Sequence, residues 1–117
     1  MEEIHVNQRE IWLCPFPFSD LSGEKVRPVL LLSHSNYNAT TDDVIVCALT
    51  SNILRNPYTI IIEQSDCERG VLYNPSTIRV DTLFKLKKTL LRKPICTLNQ
   101  RTFEEVYKIL MSIFSIK

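Results

Sequence analysis

A chain of 117 residues, of which 44% are apolar, is long enough for one domain with its own core and too short for two ordinary domains. Its 14 basic and 13 acidic side chains leave a net charge of +1, so any recognition of an anion must be local. The first residues lack the regions of a secretory signal, and the longest apolar run, 44–49, is far shorter than a membrane span. We therefore expect one domain over residues 1–117, located in the cytoplasm and without a membrane partner.

The first half of the chain predicts three strands. Residues 11–14 form a short apolar strand closed by Pro15, which cannot donate to a sheet ladder. Residues 28–33 and 44–49 are continuous apolar runs, which are typical of central strands buried on both faces. Residues 34–43 are rich in turn-forming residues and predict a loop between them.

Three more strands follow in the second half. Residues 58–63 are rich in β-branched and aromatic side chains, and residues 94–98 form the last short strand. Between them, residues 77–83 alternate polar and apolar side chains, so Ile78 and Val80 should face the core. The polar members of this strand should share the opposite face: Thr77, Arg79 and Asp81.

The chain then predicts one amphipathic helix. Asn99 is a suitable N-cap, because its side chain can accept a hydrogen bond from the first turn. Apolar residues recur at the spacing of one helical stripe: Phe103, Val106, Tyr107, Leu110, Ile113 and Phe114. Ile109, Met111 and Ile116 lie off this stripe, which indicates either a wider buried face or a contact between subunits, and we favour the contact. The predicted fold is mainly β, a small and strongly bent antiparallel β-barrel with a long C-terminal helix.

Several kinds of site are disfavoured by the residue types. The two histidines are isolated and no ligand spacing is recognisable, so no metal site is predicted. Two glycines are too few for a phosphate-binding loop or a dinucleotide fingerprint, so no cofactor is predicted. The four cysteines form no C-x-x-C pair and predict free thiols in a reducing compartment: Cys14, Cys47, Cys67 and Cys96.

Polar side chains remain at the ends of the predicted strands: Arg27, Thr50, Ser51, Ser76, Arg79 and Asp81. If these ends converge, two guanidinium groups, a carboxylate and several hydroxyls line one groove. Such a groove can act on a phosphodiester. Cleavage of RNA by its own 2′-hydroxyl requires no metal, only a base, an acid and cations that hold the phosphorane charge.

Each of these residues also has an ordinary structural explanation. Arg27 can be a solvated arginine before a strand, and Arg79 can form an exposed ion pair with Asp81. The hydroxyl residues can end strands in turns or simply follow a proline: Thr50, Ser51 and Ser76. The residues themselves leave both explanations open.

Taken in order, five segments resemble the MazF/PemK family of toxin ribonucleases from toxin–antitoxin pairs: residues 10–13, 15–18, 27–33, 44–51 and 76–81. The Arg-Pro-Val sequence at 27–29 and the apolar run that ends in Thr-Ser at 50–51 are the more specific parts. The resemblance implies an SH3-like barrel with helical additions and a homodimer whose interface forms an RNA groove. It also implies metal-independent cleavage of single-stranded RNA and an antitoxin that blocks the groove.

The resemblance also implies roles for particular residues. Arg27 matches the family's catalytic arginine, which clamps phosphate, and Thr50 matches its phosphate-contacting threonine. Arg79 and Asp81 match the acid–base pair of the PemK-like branch. Because an arginine hardly deprotonates, we assign the base role to Asp81 and an acid or charge-stabilising role to Arg79. Further residues are expected to bind RNA: Glu24, Lys25, Ser51, Ser76 and Lys85.

The chain departs from the family pattern at three places. Arg9 followed by Glu10 stands where the family usually has Gly-Asp, which keeps the acid and loses the glycine. In the short first loop, Glu24 is the nearest equivalent of a catalytic Glu or His. Phe84 replaces an arginine of the family, so the target sequence cannot be transferred. The alternative functions are a catalytically silent nucleic-acid binder, a toxin that acts on a protein such as gyrase, and a structural dimer.

Overall fold

The computed structural model describes residues 5–16 and 25–116. Within these ranges the chain forms seven strands: β1 (Glu10–Phe16), β2 (Lys25–Leu31), β3 (Asp43–Thr50), β4 (Thr59–Ile62), β5 (Cys67–Gly70), β6 (Ser76–Lys87) and β7 (Lys93–Leu98). It also forms two α-helices, α1 (Ser35–Thr40) and α2 (Gln100–Ile113), and two short 3-10 helices at Gln64–Asp66 and Lys88–Leu90.

All seven described strands belong to one antiparallel sheet, in the order β4-β6-β3-β2-β1-β7-β5. The long strand β6 changes register against β3, since Leu83 lies opposite Cys47 whereas Arg79 lies opposite Ala48. Residues 80–82 therefore bulge out of the ladder, and a bulge bends a strand and increases its twist. The predicted class, a mainly β antiparallel fold with a C-terminal helix, is confirmed.

Apolar side chains form two clusters, one on each face of the sheet. Alternation along the strands separates them, because Leu30 belongs to one cluster and its neighbours Val29 and Leu31 to the other. Phe103 and Val106 of α2 complete the first cluster, so we call its side of the sheet the helix face. The other side is the opposite face.

The predicted boundaries of the first two strands are wrong. β1 continues through Pro15, which pairs with Val26 of β2. Because β7 pairs with β1 only as far as Leu13, the missing amide of Pro15 interrupts no ladder on that side. β2 begins at Lys25, so Arg27 lies inside the strand rather than before it.

The predicted loop over 34–43 is wrong at its centre, where α1 forms. His34 caps this helix through Nδ1, which accepts a hydrogen bond from the Asn36 amide at 3.0 Å. The side chain of Asn38 is buried and donates to the Val6 carbonyl at 3.3 Å. These contacts stabilise a helix whose residues have a weak intrinsic preference for it.

The C-terminal helix and its cap agree with the prediction. Asn99 accepts a hydrogen bond from the Thr102 amide at 2.8 Å, as an N-cap does. The packed stripe differs, because Ile109 contacts the core whereas Tyr107 and Phe114 are 54% and 61% exposed. α2 thus carries apolar side chains on two sides, of which one packs on the sheet.

Arg9 has a backbone conformation that favours glycine. Its φ is +80°, in the left-handed region, at the position where the resemblance noted above implies a glycine. Its guanidinium donates to the Leu98 carbonyl and forms an ion pair with Glu68, both at 2.8 Å. These contacts hold the chain in the strained conformation, so the entry to β1 keeps a glycine-like geometry without a glycine.

Substitution of Arg9 can separate backbone strain from side-chain contacts. Arg9→Ala and Arg9→Gly both remove the guanidinium, but only glycine relieves the left-handed strain. We therefore expect Arg9→Ala to lower the free energy of unfolding by about 1 kcal/mol more than Arg9→Gly. Urea denaturation followed by circular dichroism measures both values. Equal stability of the two variants would show that this position carries no strain.

Candidate functional site

Three of the predicted catalytic residues lie on the same face of the sheet. Val29 of β2 pairs with Ala48 of β3, and Arg27 and Thr50 each lie two residues beyond this last pair of the ladder. Ala48 also pairs with Arg79 of β6. Because side chains two residues apart share a face, Arg27, Thr50 and Arg79 lie on the opposite face, away from α2.

The two arginines of this group are exposed and have no acidic partner in residues 5–16 and 25–116. The two ion pairs formed within these ranges involve other arginine and lysine side chains. In particular, Arg79 does not pair with Asp81, so the structural explanation offered for that pair does not apply. The two guanidinium groups lie on β2 and β6, the strands that flank β3, and two such groups on one rigid sheet are well suited to bind a phosphate.

The hydroxyl group of Thr50 stabilises a turn and can also donate a hydrogen bond to a ligand. Its Oγ1 accepts a hydrogen bond from the Asn52 amide at 3.2 Å, which forms the strand-ending turn expected from the sequence. The hydroxyl hydrogen of Thr50 has no acceptor within the described parts of the chain. The turn therefore fixes the oxygen and leaves the hydroxyl able to donate to an anion between Arg27 and Arg79.

Thr77 was expected on the face opposite the core residues Ile78 and Val80, and its side chain is fully buried. It lies opposite Thr50, and its Oγ1 donates to the Asn52 carbonyl at 2.8 Å and accepts from the Leu54 amide at 3.1 Å. The loop that follows β3 thus folds back over Thr77. Sequence alternation placed Thr77 on the correct face but could not show that this loop covers it.

Asp81 lies in the bulge of β6, next to the three residues rather than among them. It is exposed, and it lies near Cys47, whose pKa is raised by burial and further by the charge of Asp81. Cys47 belongs to the cluster on the helix face. Because residues 80–82 bulge out of the ladder with β3, alternation alone does not fix the Asp81 carboxylate on the face of Arg79, where the sequence pattern had predicted it.

Two further residues expected to bind RNA lie near this group. Lys25 is exposed and, two residues before Arg27 on β2, shares its face. Ser51 is exposed and directly follows Thr50. A third residue, Glu24, lies outside the described residues.

Two others are not brought to the group. Ser76 is buried and its hydroxyl donates to the Asn74 carbonyl at 3.2 Å, which is a structural contact. Lys85 pairs with Ile45, five residues and about 16 Å along β3 from Thr50, and faces the helix side of the sheet. Its ammonium group is 3.7 Å from the Asp43 carboxylate. Neither residue is part of the site as the structure arranges it.

Arg92 adds a cation that the sequence analysis missed. Its amide donates to the Leu13 carbonyl at 2.8 Å, and its charge partly offsets the rise that burial causes in the pKa of Cys14. Cys14 pairs with Arg27, so Arg92 approaches the site from the side of β1. Only the pairing of β1 with β7 reveals this proximity. We call the four cations Lys25, Arg27, Arg79 and Arg92 the cationic face.

The residues that the structure describes contain neither a metal cluster nor a helix that could span a membrane. Within residues 5–16 and 25–116, three or more His, Cys, Asp or Glu side chains nowhere gather in a way that could hold a metal ion. The helices of the same residues are not long and apolar enough to cross a membrane.

Toxins of solved structure share this fold. An endoribonuclease from a mycobacterial species, in complex with its cognate antitoxin, is 20% identical with a TM-score of 0.76, over 96% of this chain and 97% of that chain. A chain of the MazE-MazF crystal structure (Form-III) from Deinococcus radiodurans is 17% identical with a TM-score of 0.78, over 97% of this chain and 100% of that chain. The Mycobacterium tuberculosis toxin MazF-mt6 is 18% identical with a TM-score of 0.74, over 93% and 99%. These similarities establish the fold.

The family follows from the sequence itself. The sequence model of the PemK-like, MazF-like toxins of type II toxin–antitoxin systems matches residues 7–114, almost the whole chain. The chain therefore belongs to this toxin family. No curated protein sequence matches it significantly.

Proposed function

We propose that this chain is the toxin of a toxin–antitoxin pair and a metal-independent, sequence-selective endoribonuclease for single-stranded RNA. The observation that supports this most is that Arg27 and Arg79 lie on one face of the sheet, with Thr50 on β3, the strand between theirs. A phosphodiester carries one negative charge, and the phosphorane formed during cleavage carries more. Cations fixed on a rigid sheet therefore bind the transition state more strongly than the substrate, which is the requirement for catalysis.

Each residue has a defined task in the proposed reaction. The 2′-oxygen of the RNA attacks the neighbouring phosphorus, and the bond from phosphorus to the 5′-oxygen breaks. Asp81 accepts the 2′-hydroxyl proton, while Arg27 and the Thr50 hydroxyl hold the phosphate oxygens. Arg79 stabilises the phosphorane charge and donates a hydrogen bond to the leaving 5′-oxygen, which takes its proton from water, and the proton held by Asp81 then neutralises the hydroxide that remains. The products carry a 2′,3′-cyclic phosphate and a 5′-hydroxyl.

The outer part of the cationic face would bind the flanking RNA backbone. Lys25 lies two residues before Arg27 along β2, further from the level of Arg79, and Arg92 lies towards β1, on the other side of β2 from Arg79. Neutralisation of neighbouring phosphates releases counterions and makes affinity fall as salt rises. Ser51 and the exposed loop after β3 then lie next to the scissile phosphate, where they can contact bases.

Incubation of the purified protein with a long single-stranded RNA in excess EDTA tests the activity. We expect a small set of discrete cuts, because the proposed chemistry uses no metal ion. RNA that stays intact in the presence of folded, antitoxin-free protein would contradict the proposal. It would favour a silent nucleic-acid binder or a toxin that acts on a protein.

If Asp81 is the base, its substitution should lower the cleavage rate without lowering the affinity for RNA. Asp81→Asn should lower the cleavage rate by about 100-fold or more, since the amide cannot accept the 2′-hydroxyl proton. RNA affinity should be unchanged or higher, because a negative charge near phosphate is removed. Single-turnover cleavage and fluorescence anisotropy measure the two quantities. Asp42→Asn, at an exposed aspartate before β3, is the matched control. An Asp81→Asn protein that cleaves normally would remove Asp81 from the mechanism.

We also propose a cognate antitoxin as partner and a homodimer as the active form, both acting in the cytoplasm. The antitoxin is supported by the similar proteins whose solved structures are complexes with antitoxins. The dimer is supported by exposed apolar residues towards the end of α2: Tyr107, Met111, Phe114 and Ile116. Light scattering should give the mass of a dimer, and a monomer at micromolar concentration would contradict this part of the proposal.

A further inference from the structure

Two cysteines on neighbouring strands lie close together, away from the cationic face. Cys67 begins β5 and pairs with Leu98 of β7, while Cys96 lies two residues from Leu98 on the same strand. Both side chains therefore point to the same side, as diagonal neighbours. Both belong to the helix-face cluster, where Cys96 is buried and Cys67 packs against it.

The two strands approach each other closely at this point. A Cβ atom placed on Gly70, which pairs with Cys96, would lie 2.3 Å from the Ile95 carbonyl oxygen and 2.6 Å from the Cys96 Cα. The pairing also shifts by a bulge between Cys67 and Arg69. Burial raises the pKa of the Cys96 thiol to about 12, and its interaction with the Cys67 thiol contributes to this rise. The register of the two strands and the shared packing therefore place the two thiols next to each other.

We propose that Cys67 and Cys96 form a modification site, at which a peroxide converts the two thiols into a reversible disulfide. Cys67 is the partly exposed member, so its thiol loses its proton and attacks hydrogen peroxide; the O–O bond breaks, a sulfenic acid forms, and the departing hydroxide takes up that proton as one water. The Cys96 sulfur then attacks the Cys67 sulfur, and the S–O bond breaks. The departing hydroxide takes the Cys96 proton as a second water. Two electrons pass from the thiols to the peroxide.

The disulfide would join three elements that already contact one another. Asp66, next to Cys67, accepts hydrogen bonds at the start of α2, from the Asn99 amide to its carbonyl and from the Thr102 hydroxyl to its carboxylate, both at 2.8 Å. A covalent bond from Cys67 to Cys96 therefore links β5, β7 and the N-terminus of α2. The other two cysteines are fully buried elsewhere, Cys14 on the opposite face and Cys47 in β3.

Peptide mapping of the full chain after oxidation tests the site. The folded protein is treated with hydrogen peroxide, alkylated in denaturant and digested without reductant. Mass spectrometry should find one cross-linked peptide pair that contains Cys67 and Cys96, with Cys14 and Cys47 alkylated. Dithiothreitol should release the pair, and Cys67→Ser should lack it. The Tm of the oxidised protein should rise by about 5–10 °C, a rise that Cys67→Ser should not show.

Three results would overturn the proposal. The first is over-oxidation of Cys67 to a sulfinic acid while Cys96 remains alkylated as a thiol. The second is a disulfide between the Cys67 residues of two chains, because the modification would then not be internal. The third is a lower Tm after cross-linking, since this would show that the bond distorts the native arrangement. None of these results depends on whether the protein cleaves RNA.

Discussion

Replacement of Arg27 by alanine should lower the rate of RNA cleavage by about 100-fold or more. A fixed cation that meets the developing charge of a transition state commonly contributes this much to catalysis. Arg27 lies on β2, two residues before Val29, the partner of Ala48, and it forms no ion pair within residues 5–16 and 25–116 that could offset its charge. Single-turnover cleavage of a defined RNA measures the effect. Circular dichroism should show an unchanged fold, because the side chain is exposed.

Two matched variants make this result specific. Arg27→Lys keeps the charge but loses the planar pair of donors, so its activity should lie between wild type and Arg27→Ala. Arg101→Ala removes an exposed arginine from α2, on the helix side of the sheet, and should cleave normally. An Arg27→Ala protein as active as wild type would place the phosphate elsewhere and contradict the proposed site.

Gly70→Ala should lower the free energy of unfolding by about 3 kcal/mol or more. Gly70 has a φ of +80°, which an L-residue with a side chain rarely adopts, and the added methyl group would overlap the backbone of Ile95 and Cys96. Backbone cannot move aside as a flexible side chain can, so β5 must separate from β7. Urea denaturation measures the loss. Arg69→Ala, at the exposed neighbouring position, should change stability by about 0.5 kcal/mol or less. A Gly70→Ala protein of wild-type stability would contradict the close approach of these strands.

Local patterns predicted most of the strands and the helix. Alternation identified Ile78 and Val80 as core residues, and both are fully buried in β6. The Asn99 cap placed the start of α2 correctly. Strand β5 was missed, because the sequence Cys-Glu-Arg-Gly has little preference for a strand and becomes one by pairing with β7. Contacts that are remote in sequence decide such segments.

The arrangement of the site needed information that no local pattern contains. Arg27 and Arg79 approach each other because β2 and β6 both flank β3, and nothing near either residue encodes that order. Their grouping was expected from the family resemblance.

Lys85 shows where the alternation of side chains along a strand fails as a guide to the face on which a residue lies. It is six residues from Arg79 and would share its face in a regular strand, but the three-residue bulge at 80–82 turns it to the helix side.

Analysis of the product ends, with and without the attacking hydroxyl, tests the central claim most directly. A short RNA that contains a mapped cleavage site is compared in EDTA with a copy that has one 2′-deoxynucleotide on the 5′ side of the scissile phosphate. The proposed mechanism predicts 2′,3′-cyclic phosphate and 5′-hydroxyl ends from the RNA. It predicts that the deoxy copy is bound but not cut. Cleavage of the deoxy copy, or 5′-phosphate ends from the RNA, would contradict attack by the 2′-hydroxyl on the cationic face.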